Sequence, residues 1–115
     1  MELKEKFKVV FSQEASDFLE SITVAAKEKI LYNIVKSKFV IDPKLFKKLG
    51  NTDIWEFRTK FGGIQYRMLA FWDNEGETLV IATHGFKKKT RKTPANEIER
   101  AKMIREIYFT QKQSK

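Results

Sequence analysis

The period of the apolar residues changes near residue 54, and this change constrains the fold more than any other feature of the sequence. Before it, apolar side chains recur at the i, i+3, i+4, i+7 spacing of a helix, as at Ala15, Phe18, Leu19 and Ile22. After it, residues 54–61 alternate between apolar and charged side chains, which is typical of a half-buried strand. The sequence therefore predicts that helices come first and a sheet follows.

Capping and turn residues divide the N-terminal half of the chain further. Residues 7–11 are rich in β-formers and predict a short strand. Ser12 predicts the N-cap of a first helix, and Thr23 predicts the N-cap of a second helix over about residues 24–37. Because the break between these helices is so short, we expect an antiparallel helical hairpin. Residues 45–49, closed by a glycine, predict a short turn or helix.

Three consecutive strands joined by short turns follow the change of period. Residues 54–61 lead into the Gly62-Gly63 turn, and the strongly apolar residues 65–72 predict the returning strand. A second turn signal at residues 73–76 precedes a third strand over residues 78 to about 86. Consecutive strands connected in this way form an antiparallel meander.

A charged segment with a helical pattern closes the chain after Pro94. Proline is favoured at the first position of a helix, and Thr93 is placed to cap it. The side chains expected to face inward are Ile98, Ala101, Ile104 and Tyr108. The element order is then β-α-α-β-β-β-α, an α+β fold in which a mainly antiparallel sheet carries an N-terminal helical hairpin and a C-terminal helix. We expect residues 1–115 to form a single domain.

The composition excludes several kinds of chemistry. With no cysteine and one histidine, the chain has no disulfide, no thiolate nucleophile and no Cys-based or His-rich metal site. No apolar stretch approaches the roughly 18–20 residues that span a bilayer, and the N-terminus lacks a signal-peptide core, so we expect a cytoplasmic protein without a membrane partner. The 23 Lys and Arg exceed the 15 Asp and Glu, and the net charge of +8 favours a polyanionic partner.

The densest positive charge lies in residues 84–94, at the end of the third strand of the meander. The cations of this segment are Lys87, Lys88, Lys89, Arg91 and Lys92, and no Asp or Glu occurs from residue 78 to residue 96. An uncompensated cluster of this kind suits the binding of phosphate oxygens. A lysine run is also common on an ordinary solvated surface, so this segment alone leaves both interpretations open.

Arg67 interrupts an otherwise apolar strand, where an unpaired buried charge costs on the order of several kcal/mol. One interpretation is structural, a salt bridge to Glu56 across the hairpin. The other is functional, because alternation places Glu56, Arg58 and Lys60 on one face of their strand, where Arg67 can join them. His84 follows on the next strand. We therefore expect a concave basic face that holds Arg58, Arg67, His84 and Lys87 to Lys89.

These side chains suit the cleavage of a phosphodiester bond in RNA. The RNA supplies its 2′-OH as nucleophile, so the protein needs a base, cations for the phosphorane and an acid for the 5′-oxygen. Glu56 or a lysine with a lowered pKa is the candidate base, Arg67 and Arg58 hold the non-bridging oxygens, and His84 or Lys89 is the candidate acid. Further candidate phosphate contacts are Lys60, Lys87, Lys88, Arg91 and Lys92. A lone histidine is more often a packing or hydrogen-bonding residue, and that reading of His84 stays open.

Several motifs, taken together, resemble the phage-derived, HigB-like toxins of the RelE/ParE superfamily of toxin–antitoxin modules. They are Ile-Trp-Glu-Phe-Arg at 54–58, Phe-Gly-Gly-Ile-Gln-Tyr-Arg at 61–67, His-Gly-Phe-Lys-Lys-Lys-Thr at 84–90 and Lys-Thr-Pro at 92–94. The resemblance covers nearly the whole chain and implies the compact RelE-like fold. It also implies an mRNA interferase: a ribosome-dependent, metal-independent endoribonuclease that cuts mRNA in the A site and inhibits translation.

The resemblance implies partners and residue roles as well. The partners are a cognate helix-turn-helix antitoxin of the HigA type, the ribosome and mRNA, and no cofactor is implied. Arg58 and Arg67 match the basic strand positions that the superfamily uses for phosphate contact and transition-state stabilisation. Lys88 or Lys89 falls near the basic residue that follows the last strand. His84 matches the motif without a transferable catalytic role, so the acid and the base are not assigned.

Two other functions are compatible with the same residues. A ParE-like toxin has this fold but no catalysis, and it acts by binding DNA gyrase. It has no need for Arg67 and His84 to converge, whereas a nuclease does. A phage nucleic-acid-binding regulatory protein would use the lysine run only to follow a phosphate backbone. Such a protein is expected to interleave exposed aromatic residues with cations, whereas most aromatic residues here have core-like spacing.

Overall fold

The computed structural model describes residues 4–73 and 78–113. Its elements, in chain order, are β1 (Lys8–Phe11), α1 (Gln13–Ser21), α2 (Val24–Phe39), β2 (Phe46–Lys48), β3 (Trp55–Phe61), β4 (Ile64–Trp72), β5 (Leu79–Lys88) and α3 (Ala95–Gln113). The predicted α+β class is confirmed, and the predicted order holds with one strand, β2, added. Most of the predicted turn at residues 73–76 lies outside the described residues. Within the described parts of the chain, none of the helices has the length and apolar character needed to cross a membrane.

The five strands form one sheet in the order β1-β5-β4-β3-β2. β3, β4 and β5 are the predicted antiparallel meander, β2 adds an antiparallel edge, and β1 runs parallel to β5. Gly62 and Gly63 join β3 to β4 with φ values of 59° and 77°. A two-residue hairpin turn with positive φ at both positions favours glycine, so this turn fixes the β3–β4 register.

β2 shows that the prediction of a short turn or helix over residues 45–49 was wrong. Phe46–Lys48 pairs antiparallel with Trp55–Phe57. The ring of Phe46 stacks on that of Phe57, with centroids 4.2 Å apart and planes 15° from parallel. A three-residue strand with one buried side chain has no detectable period, so its pairing with β3 determines its conformation rather than its own sequence.

The two N-terminal helices begin where their capping residues predict. The Ser12 hydroxyl accepts a hydrogen bond from the Ala15 amide at 3.1 Å, and Thr23 accepts one from Ala26 at 3.2 Å. Each cap satisfies an amide that would otherwise have no partner within the helix. α2 continues to Phe39, two residues beyond the predicted end.

α3 starts one residue later than predicted. The carbonyl of Pro94 accepts hydrogen bonds from the amides of Glu97 and Ile98, so Pro94 precedes the helix and Ala95 is its first residue. The Thr93 hydroxyl does not cap the helix; it donates to the carboxylate of Glu56. This long-range contact replaces the local one that the sequence predicted.

Side chains of the sheet alternate between two apolar cores. On the face that we call the α1/α2 face, Tyr66, Met68 and Ala70 of β4 pack with residues of α1 and α2. On the opposite face, the α3 face, Leu69 and Phe71 pack with residues of α3. β4 is therefore buried on both sides, which explains its nearly continuous apolar sequence. The same alternation puts Arg67 on the α3 face, beside Leu69 in the pattern.

A bulge in β5 determines which face His84 joins. Leu69 pairs with His84 and Ala70 pairs with Ala82, so Thr83 is an extra residue on β5. Without the bulge, alternation from Ala82 would put His84 on the α1/α2 face; with it, His84 lies on the α3 face. The Thr83 hydroxyl lies 3.1 Å from the Leu69 carbonyl and 3.0 Å from the His84 Nδ1.

Gly85 gives α1 its close approach to the sheet. A Cβ at this position would lie 2.3 Å from the nearest carbon of the Phe18 ring. Phe18 therefore packs directly on the backbone of β5, and its ring also meets the Tyr66 ring edge-on at 6.5 Å. The glycine that follows His84 in the sequence motif thus has a packing role.

Candidate active site

The register of four strands collects cations on the α3 face of the sheet. Arg58 of β3 lies opposite Arg67 of β4, and Lys47 of β2 lies opposite Glu56 of β3. Lys88 of β5 lies opposite Gln65, the second residue before Arg67. Side chains two residues apart on a strand share a face, so the two arginines, Lys47 and Lys88 surround Glu56. The predicted grouping of Glu56, Arg58 and Arg67 is confirmed.

Glu56 is the centre of this group and is only 2% exposed. Its Oε1 lies 3.3 Å from the Nε of Arg67 and 3.4 Å from the Nε of Arg58. Its Oε2 accepts the hydrogen bond from the Thr93 hydroxyl. A buried carboxylate needs compensating charge, and here one carboxylate serves two guanidinium groups. The predicted salt bridge between Glu56 and Arg67 is therefore present, and it leaves one positive charge in excess.

The two arginines keep part of their hydrogen-bonding capacity unused. Arg67 Nη1 donates to the Tyr66 carbonyl at 3.0 Å, and Arg58 Nη1 donates to the Pro43 carbonyl at 3.4 Å. The Nε–H groups of both arginines are buried and have no hydrogen-bond partner among residues 4–73 and 78–113. Their contacts with Glu56 are thus Coulombic, and together with the backbone carbonyls they hold both guanidinium groups in place.

Burial and mutual repulsion shape the electrostatics of the group. Burial lowers the pKa of Arg67, the charge of Glu56 counteracts this shift, and the charge of Arg58 adds to it. An arginine stays charged at neutral pH even so. Burial also lowers the pKa of Lys88, and the neighbouring charge of Arg67 lowers it further. Lys88 is thus the cleft residue that matches the predicted lysine with a lowered pKa.

An open cleft of about 490 Å³ lies over this part of the α3 face. We call it the basic cleft; its charged residues are Lys47, Lys48, Glu56, Arg58, Lys88, Arg91 and Lys92. An adjoining cleft of about 350 Å³ shares Arg58 and includes Lys60 and Arg67. Six cations and one carboxylate thus line the basic cleft, and Arg58 lies where the two clefts meet.

Lys87 and Lys89 do not take the places predicted for them. Lys87 pairs with Tyr66, so alternation puts it on the α1/α2 face, opposite to Lys88. Lys89 is exposed beyond the end of β5 and lines neither of the two clefts. The prediction that Lys87 to Lys89 act as one group was wrong, because the strand continues to Lys88 and separates neighbouring side chains.

His84 lies beneath α3 and is 3% exposed. Its Nε2 is 3.2 Å from Glu97 Oε1, and its Nδ1 is 3.0 Å from the Thr83 hydroxyl. Burial lowers its pKa, and the hydrogen bond to Glu97 counteracts the shift. Neither of the two clefts includes His84. The predicted convergence of His84 with Arg67 was therefore wrong, because the first turn of α3 covers this part of the sheet.

The residues predicted for the site did not include Lys47, Lys48 and Thr93 of the basic cleft. Lys47 and Lys48 belong to β2, and recognising that strand opposite Glu56 would have placed Lys47 on the correct face. Thr93 reaches Glu56 across 37 positions of sequence. No local pattern signals that contact, since the same residue also looks like a helix cap.

The fold has known counterparts among solved structures. A mutant of the Escherichia coli toxin RelE in the free state, carrying two arginine-to-alanine substitutions, is 15% identical with a TM-score of 0.63; the match covers 85% of this chain and 95% of that one. The toxin–antitoxin complex RelBE2 from Mycobacterium tuberculosis is 16% identical with a TM-score of 0.54, over 72% of this chain and 99% of that chain. The chain thus has the RelE fold. No curated protein sequence matches it.

A family model described as phage-derived protein Gp49-like matches residues 17–113. This range runs from within α1 to the last residue of α3. It includes every strand that contributes to the basic cleft, together with Thr93. Since the model spans most of the sequence, including the whole candidate site, the chain belongs to the phage-derived Gp49-like family.

Proposed function

We propose that this chain is the toxin of a type II toxin–antitoxin module and acts as a ribosome-dependent endoribonuclease that cleaves mRNA in the A site. The observation that carries the proposal is the pair Arg58 and Arg67, held side by side by one buried carboxylate at the edge of a cleft rich in lysine. The RelE fold and the family membership support a toxin, because both solved counterparts are toxins and one is in complex with its antitoxin.

The arginine pair is suited to the charge that develops on phosphorus. In the reaction, the 2′-oxygen attacks the adjacent phosphorus, and the pentavalent phosphorane carries more negative charge than the starting diester. Arg58 and Arg67 are fixed by Glu56 before substrate arrives, so little reorganisation is needed to stabilise that charge. Each guanidinium group also lines a cleft and carries several N–H donors in a planar arrangement that matches the non-bridging oxygens of a phosphate.

Lys88 is our candidate for the base. Its lowered pKa makes the neutral amine more accessible at physiological pH, and it can then accept the proton of the 2′-OH. Glu56, in contrast, contacts two guanidinium groups and the Thr93 hydroxyl. We therefore propose that Glu56 holds the two arginines in place and is not the base. The 5′-oxygen leaves with a proton, and Lys92 of the same cleft is the candidate donor. The products are a 2′,3′-cyclic phosphate and a 5′-hydroxyl.

Dependence on the ribosome explains why so weak an acid–base set suffices. The single histidine lies under α3 and does not converge with Arg67, so that convergence no longer favours a nuclease over a gyrase-binding toxin. The nuclease proposal rests instead on the arginine pair and Lys88. A partner that holds the mRNA in the reactive geometry can contribute about 7–11 kcal/mol of the barrier reduction. The net charge of +8 favours association with ribosomal RNA. We propose His84 as a positioning residue, which holds α3 and the Thr93 loop through Glu97.

The remaining partners follow from the same proposal. A toxin of this kind needs a cognate antitoxin, and we propose a helix-turn-helix protein of the HigA type and a cytoplasmic location. The test is co-expression of the chain with the protein encoded beside it. Growth arrest that the neighbouring protein relieves, together with co-purification of the two chains, supports this assignment. Arrest that persists, with no complex formed, contradicts it.

The experiment that tests the activity maps mRNA cuts in a reconstituted translation system. Wild type is compared with Arg67→Ala, Lys88→Ala and a matched control, Arg100→Ala, which removes an exposed arginine of α3. We expect cuts at discrete A-site codons only when ribosomes are present. Arg67→Ala should lower the cleavage rate by about 100-fold or more, and the control should cleave like wild type.

Intact mRNA with normal translation would overturn the nuclease proposal. The ParE-like alternative then predicts inhibition of DNA supercoiling by gyrase, which a supercoiling assay measures directly. Cleavage of naked RNA at the same rate would contradict the requirement for the ribosome. Far-UV circular dichroism of every variant ensures that a loss of cleavage is not a loss of folding.

A further inference from the structure

A third cleft lies at the end of the sheet opposite to the Gly62-Gly63 turn, and it combines cations with aromatic rings. It has a volume of about 430 Å³, and its principal lining residues are Lys6, Lys48, Asp53, Trp55, Trp72 and Arg105. Trp55 is the first residue of β3 and Trp72 the last of β4, so the antiparallel pairing brings both to the same end. We call this site the tryptophan cleft.

The two indoles form a rigid surface. Their rings meet edge to face, with centroids 5.9 Å apart and planes at 83°. Phe46 lies 4.8 Å from Trp55, and Phe7 lies 5.1 Å from Trp72, which fixes both from behind. Each indole is only half-buried. Aromatic side chains that are already held in place stack on nucleobases at little ordering cost.

The charges of the tryptophan cleft favour an anion. Lys6, Lys48 and Arg105 bring three positive charges against the one carboxylate of Asp53. The Nη2 of Arg105 is 3.7 Å from Asp53 Oδ2, and its guanidinium lies 4.9 Å from the centre of the Phe109 ring. Its Nε is buried and has no hydrogen-bond partner in the part of the chain that the structure describes. Arg105 is thus held in place with donor capacity that the protein does not use.

The tryptophan cleft is continuous with the basic cleft. Lys48 lines both of them, at the end of β2. Trp55 and Arg58 are three residues apart on β3 and therefore lie on opposite faces of the sheet, so the path between the two clefts runs around the edge strand β2. A single strand of nucleic acid that turns around this edge can occupy both sites, with Lys48 between them.

We infer that the tryptophan cleft binds an unpaired nucleotide of the same single-stranded RNA whose scissile phosphate lies in the basic cleft. The base lies against Trp55 and Trp72, and its phosphate lies near Arg105 and Lys6. The identity of the strand rests on the proposed function. The binding itself does not require cleavage and is measured separately.

The tryptophans provide a direct measurement. The whole chain contains two, and both line this cleft, so intrinsic tryptophan emission reports on it alone. The probe is an eight-nucleotide 2′-O-methyl RNA, which has no 2′-OH nucleophile and stays intact. We expect saturable quenching of the emission on titration. Total binding is followed in parallel by the anisotropy of a labelled copy of the probe.

The variant that tests the site is Lys6→Ala combined with Arg105→Ala. It should weaken the binding measured by quenching about tenfold, because it removes two cations next to the stacked nucleotide. The matched control, Lys29→Ala combined with Arg100→Ala, removes the same charges from the surfaces of α2 and α3 and should change the affinity less than about threefold. Lys6→Ala alone, an exposed residue outside the helices and strands, serves if the double variant is unstable.

Three results would overturn the inference. Unchanged tryptophan emission while anisotropy shows binding would place the RNA elsewhere. Equal affinity of the test variant and the control would remove the role of the cations. An acidic peptide of equal charge that quenches more strongly than the RNA would assign the cleft to a protein partner instead.

Two further measurements distinguish a failure of this inference from a failure of the proposed nuclease activity. A three-nucleotide probe should bind more weakly than the eight-nucleotide probe, because only the longer one reaches both clefts; equal affinities would contradict the continuous path. Arg67→Ala should abolish cleavage yet preserve quenching by the three-nucleotide probe. If quenching is absent while wild type still cleaves on the ribosome, the inference fails and the proposed function stands.

Discussion

The two faces of the sheet are built by the same alternation but carry different kinds of side chain. On the α1/α2 face, two helices cover β3, β4 and β5, and the side chains between them form an apolar core. On the α3 face, one helix covers only part of the sheet, and Glu56, Arg58 and Lys88 occupy positions of the uncovered part. The comparison teaches that the covering helices, more than the strands, determine where chemistry can occur.

Adjacent residues of β4 provide the strongest test of this contrast. Arg67→Met should reduce mRNA cleavage by about 100-fold or more, because it removes a charge from the site. The free energy of unfolding should fall by about 2 kcal/mol or less, because Arg58 and Thr93 still compensate the buried carboxylate of Glu56, which the loss of Arg67 would otherwise leave unpaired. Urea denaturation and cut mapping measure the two effects. A large loss of stability with cleavage retained would contradict the conclusion that Arg67 and the α3 face serve activity more than stability.

Met68→Ala makes the complementary change on the α1/α2 face. Met68 is 1% exposed, so truncation should lower the free energy of unfolding by about 3 kcal/mol through lost burial and a residual cavity. Cleavage per folded molecule should stay near the wild-type rate, because the side chain points away from Arg67. A variant that is stable but inactive would contradict the proposed difference between the two faces.

Gly85→Ala tests the contact between α1 and β5. The added Cβ overlaps the Phe18 ring, so we expect a loss of about 1–3 kcal/mol in the free energy of unfolding. Phe18→Leu in the same chain should recover part of that loss by making room. Thermal and urea denaturation of the two single variants and the double variant measure the coupling. Purely additive effects would show that the Phe18 ring is not the obstacle.

The smallest expected effect concerns pH and His84. Burial lowers the pKa of His84 although Glu97 counteracts the shift. Below about pH 6.5, the unfolded chain therefore binds a proton at this histidine more readily than the folded chain does. Stability is therefore full above that pH and falls as the pH decreases toward the folded pKa, by at most about 1.4 kcal/mol per pH unit. His84→Gln should flatten this dependence between pH 7 and 5.5 in urea titrations. An equal slope in the variant would assign the decline to carboxylates.

Much of the fold could be predicted from local patterns in the sequence. Helical spacing, two capping residues and the Gly62-Gly63 turn are local signals, and each element they predicted is present. β2 was not predicted, because three residues that depend on a neighbouring strand for their conformation carry no period of their own.

The residues of the candidate site could be predicted only where the alternation of side chains along a strand was enough to place them. Glu56, Arg58 and Arg67 follow from period two and a tight turn, so their grouping was predicted. The face of His84 depends on one extra residue, Thr83, and no pattern in the sequence marks that bulge. Thr93 meets Glu56 only after α3 has packed on the sheet, which makes the contact a product of tertiary structure.

The pairing of β1 with β5 has a consequence for the order in which parts of the chain can fold during synthesis. Val9 has its partner at Val80, far along the chain, and β1 lies at the edge of the sheet with β5 as its neighbour. Contacts of such large sequence separation form late, after the intervening chain has been closed into a loop. During synthesis, a nascent chain that ends before β5 lacks both the strand that holds its N-terminus and the lysine of the cleft. The basic cleft is therefore complete only after β5 and the segment with Thr93 have been synthesised.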